Sequence, residues 1–213
     1  TRGLVPPGQF LPQLEQHPFS ITVGNWVIET AMVQIAAWQS RGISLKVSVN
    51  INALQLLDPD FVGTLERQLR EHPGVHPGSL ELEILESAAI GDINRAADVL
   101  RECQKLGVGV SLDDFGTGYA ALEYLKRLPA DTLKIDQTFI REMSDDSGSR
   151  AIVKGIIGLA NAFGFGVIAE GVEEESQTHF LKKEGCDFSQ GYFYSRPLPA
   201  ADFEAWLSNN HRV

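Results

Sequence analysis

Cysteine is scarce in this 213-residue chain, where Cys103 and Cys186 are the only two. Two thiols cannot build a disulfide ladder, so a secreted disulfide scaffold is excluded and a reduced, cytoplasmic protein is expected. Basic residues are also in short supply. Lys plus Arg number 18 against 28 Asp plus Glu, a net charge of −10. That balance leaves no broad basic face for a DNA or RNA polymer or for anionic lipid. No apolar run reaches the roughly 20 residues that span a bilayer, so no membrane contact is expected of this domain. The start, Thr1 to Pro7, lacks the basic-then-apolar order of a secretion signal. The absent initiator Met and the loop-like opening lead us to expect a piece of a longer chain, one that sits in the cytoplasm or on the cytoplasmic side of a membrane-anchored parent.

Hydrophobic residues make up 43% of the chain, enough for a sizeable core and against disorder. Their spacing alternates between two periods. Val27 to Trp38 repeats at helical period, with Gly24-Asn25 and Arg41-Gly42 read as its punctuation; Leu45 to Ile51 then alternates at period two and is rich in β-branched residues. The same unit recurs. Helices are predicted over Phe61 to Arg70, Ile93 to Leu106, Tyr119 to Arg127, Arg150 to Phe163 and Glu174 to Glu184. Strands are predicted over Leu80 to Leu85, Val108 to Leu112, Leu133 to Ile135 and Gly166 to Ala169, with a last extended segment over Phe188 to Tyr194. No linker or composition break interrupts this alternation, which implies one α/β domain of parallel strands joined by helical crossovers.

Polar residues decide between an open sheet and a barrel. Asn50, Glu83, Asp113 with Asp114, Lys134 with Asp136, and Glu170 each fall at or just after the end of a successive apolar strand. Any one of them reads as a helix cap or turn residue. Five in succession are what a (βα) barrel needs, since it collects functional side chains from many strand ends onto one rim. An open sheet would instead place a glycine-rich phosphate loop after an early strand, and none is present.

Four carboxylates and a carboxamide are hard oxygen donors, suited to Mg²⁺ or Mn²⁺ rather than to zinc. His72 and His76 are separated by the helix-breaking Pro73-Gly74 and read as loop residues. Adjacent Asp113 and Asp114 repel each other unless cations lie between them. Two divalent ions would balance the −4 of Glu83, Asp113, Asp114 and Glu170, and Lys134 then leaves the site able to hold a phosphate. Two-metal sites serve in-line displacement at phosphorus. Asp114-Phe115-Gly116 matches the Asp-Phe-Gly of protein kinases, but no glycine loop precedes it and no His-Arg-Asp segment occurs, so a kinase is excluded. Asp145, Asp146, Glu174 and Glu175 read as solvated charge, and Cys186 and Tyr192 to Tyr194 as structural.

Taken together, VNINA around Asn50, LELEILES with Glu83 and Glu86, SLDDFGTGY, LKID, IAEGVE and GCDFSQGYFYSRPLP resemble, in order, the motifs of EAL domains, bacterial phosphodiesterases of cyclic di-GMP. The resemblance spans essentially all of residues 1–213. It implies a modified TIM (βα)₈ barrel with one antiparallel strand, and hydrolysis of cyclic di-GMP to linear 5′-pGpG. It implies Asn50, Glu83 and Asp113 as ligands of a first Mg²⁺ or Mn²⁺ and Asp113, Asp114 and Glu170 as ligands of a second. By the same resemblance Lys134 holds the attacking water, Glu86 steadies the loop from Asp114 to Ala121, and Glu173 and Gln190 support the site through hydrogen bonds. Fusion to sensory or GGDEF-type domains is implied too, and a homodimer is among the assemblies that the resemblance admits.

Departures from the family pattern are specific. The Glu-Ala-Leu signature strand, whose Glu is a first-site ligand and which a phosphate-contacting basic residue follows, does not occur in this sequence, which starts at the family position just beyond it. Leu85 stands for the usual Thr, and Ala120-Ala121 for a Ser pair. A second reading is therefore an inactive EAL-type domain that binds cyclic di-GMP as a receptor, and a third, without the family, is a generic two-metal phosphoester hydrolase. Presence of Asn50, Glu83, Asp113, Asp114, Lys134 and Glu170 favours the enzyme, because a receptor needs no bridging carboxylate.

Overall fold

The computed structural model describes residues 5–14, 16–85, 92–116 and 122–210. Six strands form one sheet in chain order: β1 (Val47–Ile51), β2 (Leu80–Leu85), β3 (Gly109–Phe115), β4 (Thr132–Ile135), β5 (Gly166–Ala169) and β6 (Phe188–Ser189). Every neighbouring pair is parallel. The helices are α1 (Leu11–Leu14), α2 (Phe19–Gln39), α3 (Ala53–Leu56), α4 (Phe61–Glu71), α5 (Ile93–Lys105), α6 (Leu122–Arg127), α7 (Gln137–Glu142), α8 (Ser147–Phe163), α9 (Glu175–Glu184) and α10 (Ala200–Asn209). Because the strand order never reverses, right-handed crossovers put all the connecting helices on one face. A sheet covered on one face only must curl around the other, which is the winding of a TIM-type barrel.

Period-two alternation divides the strands between these faces. Leu80, Leu82 and Ile84 of β2, Val110 and Leu112 of β3, and Leu133 and Ile135 of β4 are buried in the core under the helices. Glu81, Glu83, Ser111 and Lys134 take the opposite, inward face and are buried there as well. On β1 the inward residues Ser48 and Asn50 stay exposed, since β1 has a strand on one side only among the described residues. The helical layer nevertheless closes across this gap. Arg41, just beyond α2, makes two hydrogen bonds to Glu204 of α10, both 2.6 Å, and the Trp38 indole of α2 donates to the same carboxylate at 2.8 Å.

Some elements differ from the sequence reading. α2 begins at Phe19, eight residues before the predicted start, because Gly24 is no breaker: the Gln55 amide packs on it so closely that any Cβ would collide. β3 runs on through Phe115 and so carries both aspartates within the strand. The extended segment predicted to reach Tyr194 pairs only over Phe188–Ser189, after which the chain turns at Gly191. α10 had no counterpart in the prediction; none of its residues is buried, so its apolar period is weak. Asp146 and Glu174, read as solvated charge, are helix caps: Asp146 accepts from Gly148 and Ser149, and Glu174 forms a capping box with Gln177.

Candidate active site

A bulge in β3 builds the centre of the site. Leu112 pairs with Leu133 and Phe115 with Ile135, so Asp113 and Asp114 together stand opposite the single residue Lys134. Strand alternation would send two adjacent side chains to opposite faces. Here Asp114 takes a left-handed backbone (φ 53°), which turns its carboxylate back toward that of Asp113. Asp is among the few non-glycine residues that tolerate this conformation.

Lys134 is 4% exposed and its ammonium contacts three carboxylates: Glu170 at 2.6 Å, Glu83 at 2.9 Å and Asp113 at 3.0 Å. Three donors meet three acceptors, so no N–H is spare. Burial alone would lower the lysine pKa, but the charges of Glu83 and Glu170 outweigh it and hold the group above its usual range. Alternation along β4 would put Asp136 on the same face as Lys134. The carboxylate of Asp136 instead caps α7 by accepting from the Thr138 amide at 2.8 Å, and it hydrogen-bonds with Asp114.

One oxygen from each of Asp113, Asp114 and Glu170 lies within 4.8 Å of the others. Three converging carboxylates fit a hard divalent cation. Burial, the neighbouring charge of Asp113 and the hydrogen bond with Asp136 push Asp114 up to about 6. Glu170 is raised by burial, with Lys134 opposing the shift. Burial works against ionisation of Asp136 too, but bonds from Thr138 outweigh it and lower that group. Asp114 and Asp136 thus behave as a pair in which Asp114 is the member that takes up a proton first as pH falls.

The remaining predicted residues divide. Gln190 donates to Glu170 at 2.7 Å. Asn50 is the register partner of Glu83, on the exposed end of β1, while Glu83 itself is drawn to Lys134. Glu173 pairs with Arg141 of α7, at 3.2 Å, with both side chains about half exposed, and both line the cleft that Glu170 and Gln190 also line. Glu86 lies outside the described residues, as do residues 117–121 of the loop after β3.

An open cleft of about 1040 Å³ runs outward from Glu170 and Gln190, past Arg141, Tyr192, Phe193 and Arg196. The Arg196 guanidinium lies 4.5 Å from the centroid of the Tyr192 ring. Tyr192 to Tyr194, read from the sequence as structural, line this cleft. The available signal was a cluster of aromatics directly after a site glutamine; for Arg141, on a short surface helix, the sequence offered none.

Comparison with known proteins agrees with this geometry. The MucR protein of Pseudomonas aeruginosa, a bifunctional diguanylate cyclase/cyclic di-GMP phosphodiesterase, is 42% identical over 199 residues, 93% of this chain and 29% of MucR. The cyclic di-GMP phosphodiesterase PdeR of Escherichia coli is 38% identical over 205 residues, 96% of this chain and 31% of PdeR. The chain therefore spans about three-tenths of the length of these relatives. A solved structure, the PaMucR phosphodiesterase in complex with c-di-GMP, superposes with a TM-score of 0.90 at 41% identity, over 95% of this chain and 82% of that one. The EAL domain family model matches residues 1–197, and with these likenesses in sequence and fold the chain belongs to the EAL domain family.

Proposed function

We propose that this chain is the EAL-type catalytic domain of a longer bacterial signalling protein, and that it hydrolyses cyclic di-GMP to linear 5′-pGpG with Mg²⁺ or Mn²⁺. The observation that carries the reading is the buried Lys134 ammonium held among Glu83, Asp113 and Glu170, beside the converging oxygens of Asp113, Asp114 and Glu170. Relatives named as cyclic di-GMP phosphodiesterases, and a fold neighbour solved with c-di-GMP, support the substrate.

Divalent cations at such a cluster supply Lewis acidity toward a phosphodiester and its water nucleophile. Asp113, Asp114 and Glu170 would hold one cation, and Asn50, Glu83 and Asp113 the other. Gln190 orients Glu170 through its amide. The Lys134 ammonium, held between Glu83, Asp113 and Glu170, would turn an N–H to the attacking water and to negative charge growing on the phosphorus oxygens once one of these carboxylates is engaged elsewhere. In the reaction the water oxygen bonds to phosphorus, the bond from phosphorus to the 3′ oxygen breaks, and that oxygen takes up a proton, leaving a 5′ phosphate. Arg141, Arg196 and the Tyr192 ring line the cleft with groups suited to phosphate and purine.

The test is turnover by a chain extended through the signature strand, with cyclic di-GMP and Mg²⁺ or Mn²⁺, followed by chromatography of pGpG. Asp113→Asn, which lacks the second charged oxygen needed to bridge two cations, should lose nearly all activity. Binding without product in the unsubstituted protein would make the domain a receptor and overturn the proposal.

A further inference from the structure

Two segments leave the Lys134 cluster side by side and form one wall of the cleft. The first is α7, which begins at its cap Asp136, the hydrogen-bond partner of Asp114, and carries Arg141. The second is the loop after β5, which begins at Glu170 beside Lys134 and leads to Glu173. Near the cluster the two touch directly. At Gly171, whose φ of 69° is left-handed, a Cβ would stand 2.5 Å from that of Gln137. Gln137, Arg141, Gly171 and Glu173 all line the cleft.

The outer ends of the two segments are joined by Gln177 of α9, which is 3% exposed. Its Oε1 accepts from the backbone amides of Glu173 at 2.8 Å and Glu174 at 3.0 Å, and its Nε2 donates to the Ile140 carbonyl of α7 at 2.9 Å. The residue after Ile140 is Arg141, which pairs with Glu173. Gln177, Ile140, Arg141 and Glu173 thus close a ring. Capping of α9 accounts for the bonds from Glu173 and Glu174, and a Glu would serve there as well. The bond to Ile140 lies outside the cap and needs the amide N–H. We propose that Gln177 is a positioning residue for the ligand of the cleft, which is cyclic di-GMP on the reading above: it fixes α7 against the β5 loop and so sets the Arg141–Glu173 pair where it meets that ligand. Glu170 is held independently, by Lys134 at 2.6 Å and Gln190 at 2.7 Å. Gln177 therefore governs affinity for the ligand rather than for the metals.

The test uses the full-length parent protein, with turnover in Mn²⁺ followed by chromatography of pGpG and binding of cyclic di-GMP by calorimetry before the cation is added. Gln177→Glu keeps the acceptor that caps α9 but, as a carboxylate, loses the donor to Ile140. It should raise KM and Kd about tenfold, as misplacement of a binding group does, with kcat within about threefold and Mn²⁺ affinity unchanged. Gln177→Asn, uncharged and too short to reach both sides, should do the same, which separates a lost bridge from an added charge. In an Arg141→Ala background either substitution should change Kd less than about twofold, because the group being positioned is gone. An unchanged Kd in Gln177→Glu would make Gln177 a helix cap alone and overturn the proposal. Equal losses with and without Arg141, or a fall in Mn²⁺ affinity, would overturn it as well. Absence of turnover in the unsubstituted protein would instead overturn the hydrolase reading, and Kd would still decide the role of Gln177.

Discussion

Replacing Lys134 by Met removes a charge while keeping most of the volume, and its consequences differ with and without divalent cations. The ammonium is the counter-ion of Glu83, Asp113 and Glu170, all within 3.0 Å. Removing one partner of a buried ion pair costs about 3–5 kcal/mol, because the remaining charge is left uncompensated. For a domain of this size each kcal/mol moves the melting temperature by about 2–4 °C. We therefore expect Lys134→Met to melt about 10 °C lower in chelator. Divalent cation at about 100 times its Kd should return about 2.7 kcal/mol, most of the loss. Turnover should not return with it: loss of a donor aimed at developing charge lowers kcat by about 10²–10³, while affinity for cyclic di-GMP stays within a few fold. The raised pKa of Lys134 makes its stabilising effect independent of pH below its unfolded value of about 10.4, and the effect is lost only as pH rises through the higher folded value. Calorimetry with and without Mn²⁺ and chromatography of pGpG measure both arms. An unchanged midpoint in chelator, or lost binding with turnover of bound substrate intact, would refute the reasoning.

Three further expectations can be measured. Because Asp114 is raised to about 6, a cation must displace its proton below that pH, so divalent affinity should fall about tenfold per pH unit below about 6; calorimetry in buffers of different protonation enthalpy would detect the released proton, and a flat profile from pH 5 to 7 would contradict it. The same shift makes the Asp114 contribution to metal-free stability present below its unfolded pKa and lost as pH rises through about 6. Gly24→Ala sets a gain in helix propensity of about 0.5–1 kcal/mol against a collision with the buried Gln55 amide, and overpacking should win by about 1–3 kcal/mol; a stabilised variant in thermal melts would reverse that conclusion. Extension through the signature strand should tighten Mg²⁺ or Mn²⁺ binding by adding a carboxylate ligand, and equal affinities for the two lengths would show that strand to be irrelevant to the metals.

Much of the architecture was legible because it is periodic. Leu80–Leu85 and Gly166–Ala169 were predicted to the residue, since alternation and short apolar runs report burial directly. The order of polar strand ends around one rim was legible for the same reason: in a parallel sheet wound in chain order, sequence order is spatial order. Long-range contact decided the rest. Gly24 looked like a helix boundary until the Gln55 side chain, 31 positions away, supplied the reason for a missing Cβ. Alternation assigns Asp113 and Asp114 to opposite faces, and only the register against β4, with its bulge, turns both toward one cluster. The partners of Lys134 come from three other strands or their ends, so no local pattern could choose Glu83, Asp113 and Glu170 over the nearby Asp136. Side-chain types and their order along the chain are local facts that composition and period disclose; which carboxylate meets which cation depends on a register shift of one residue, and that is set by the packing of whole strands.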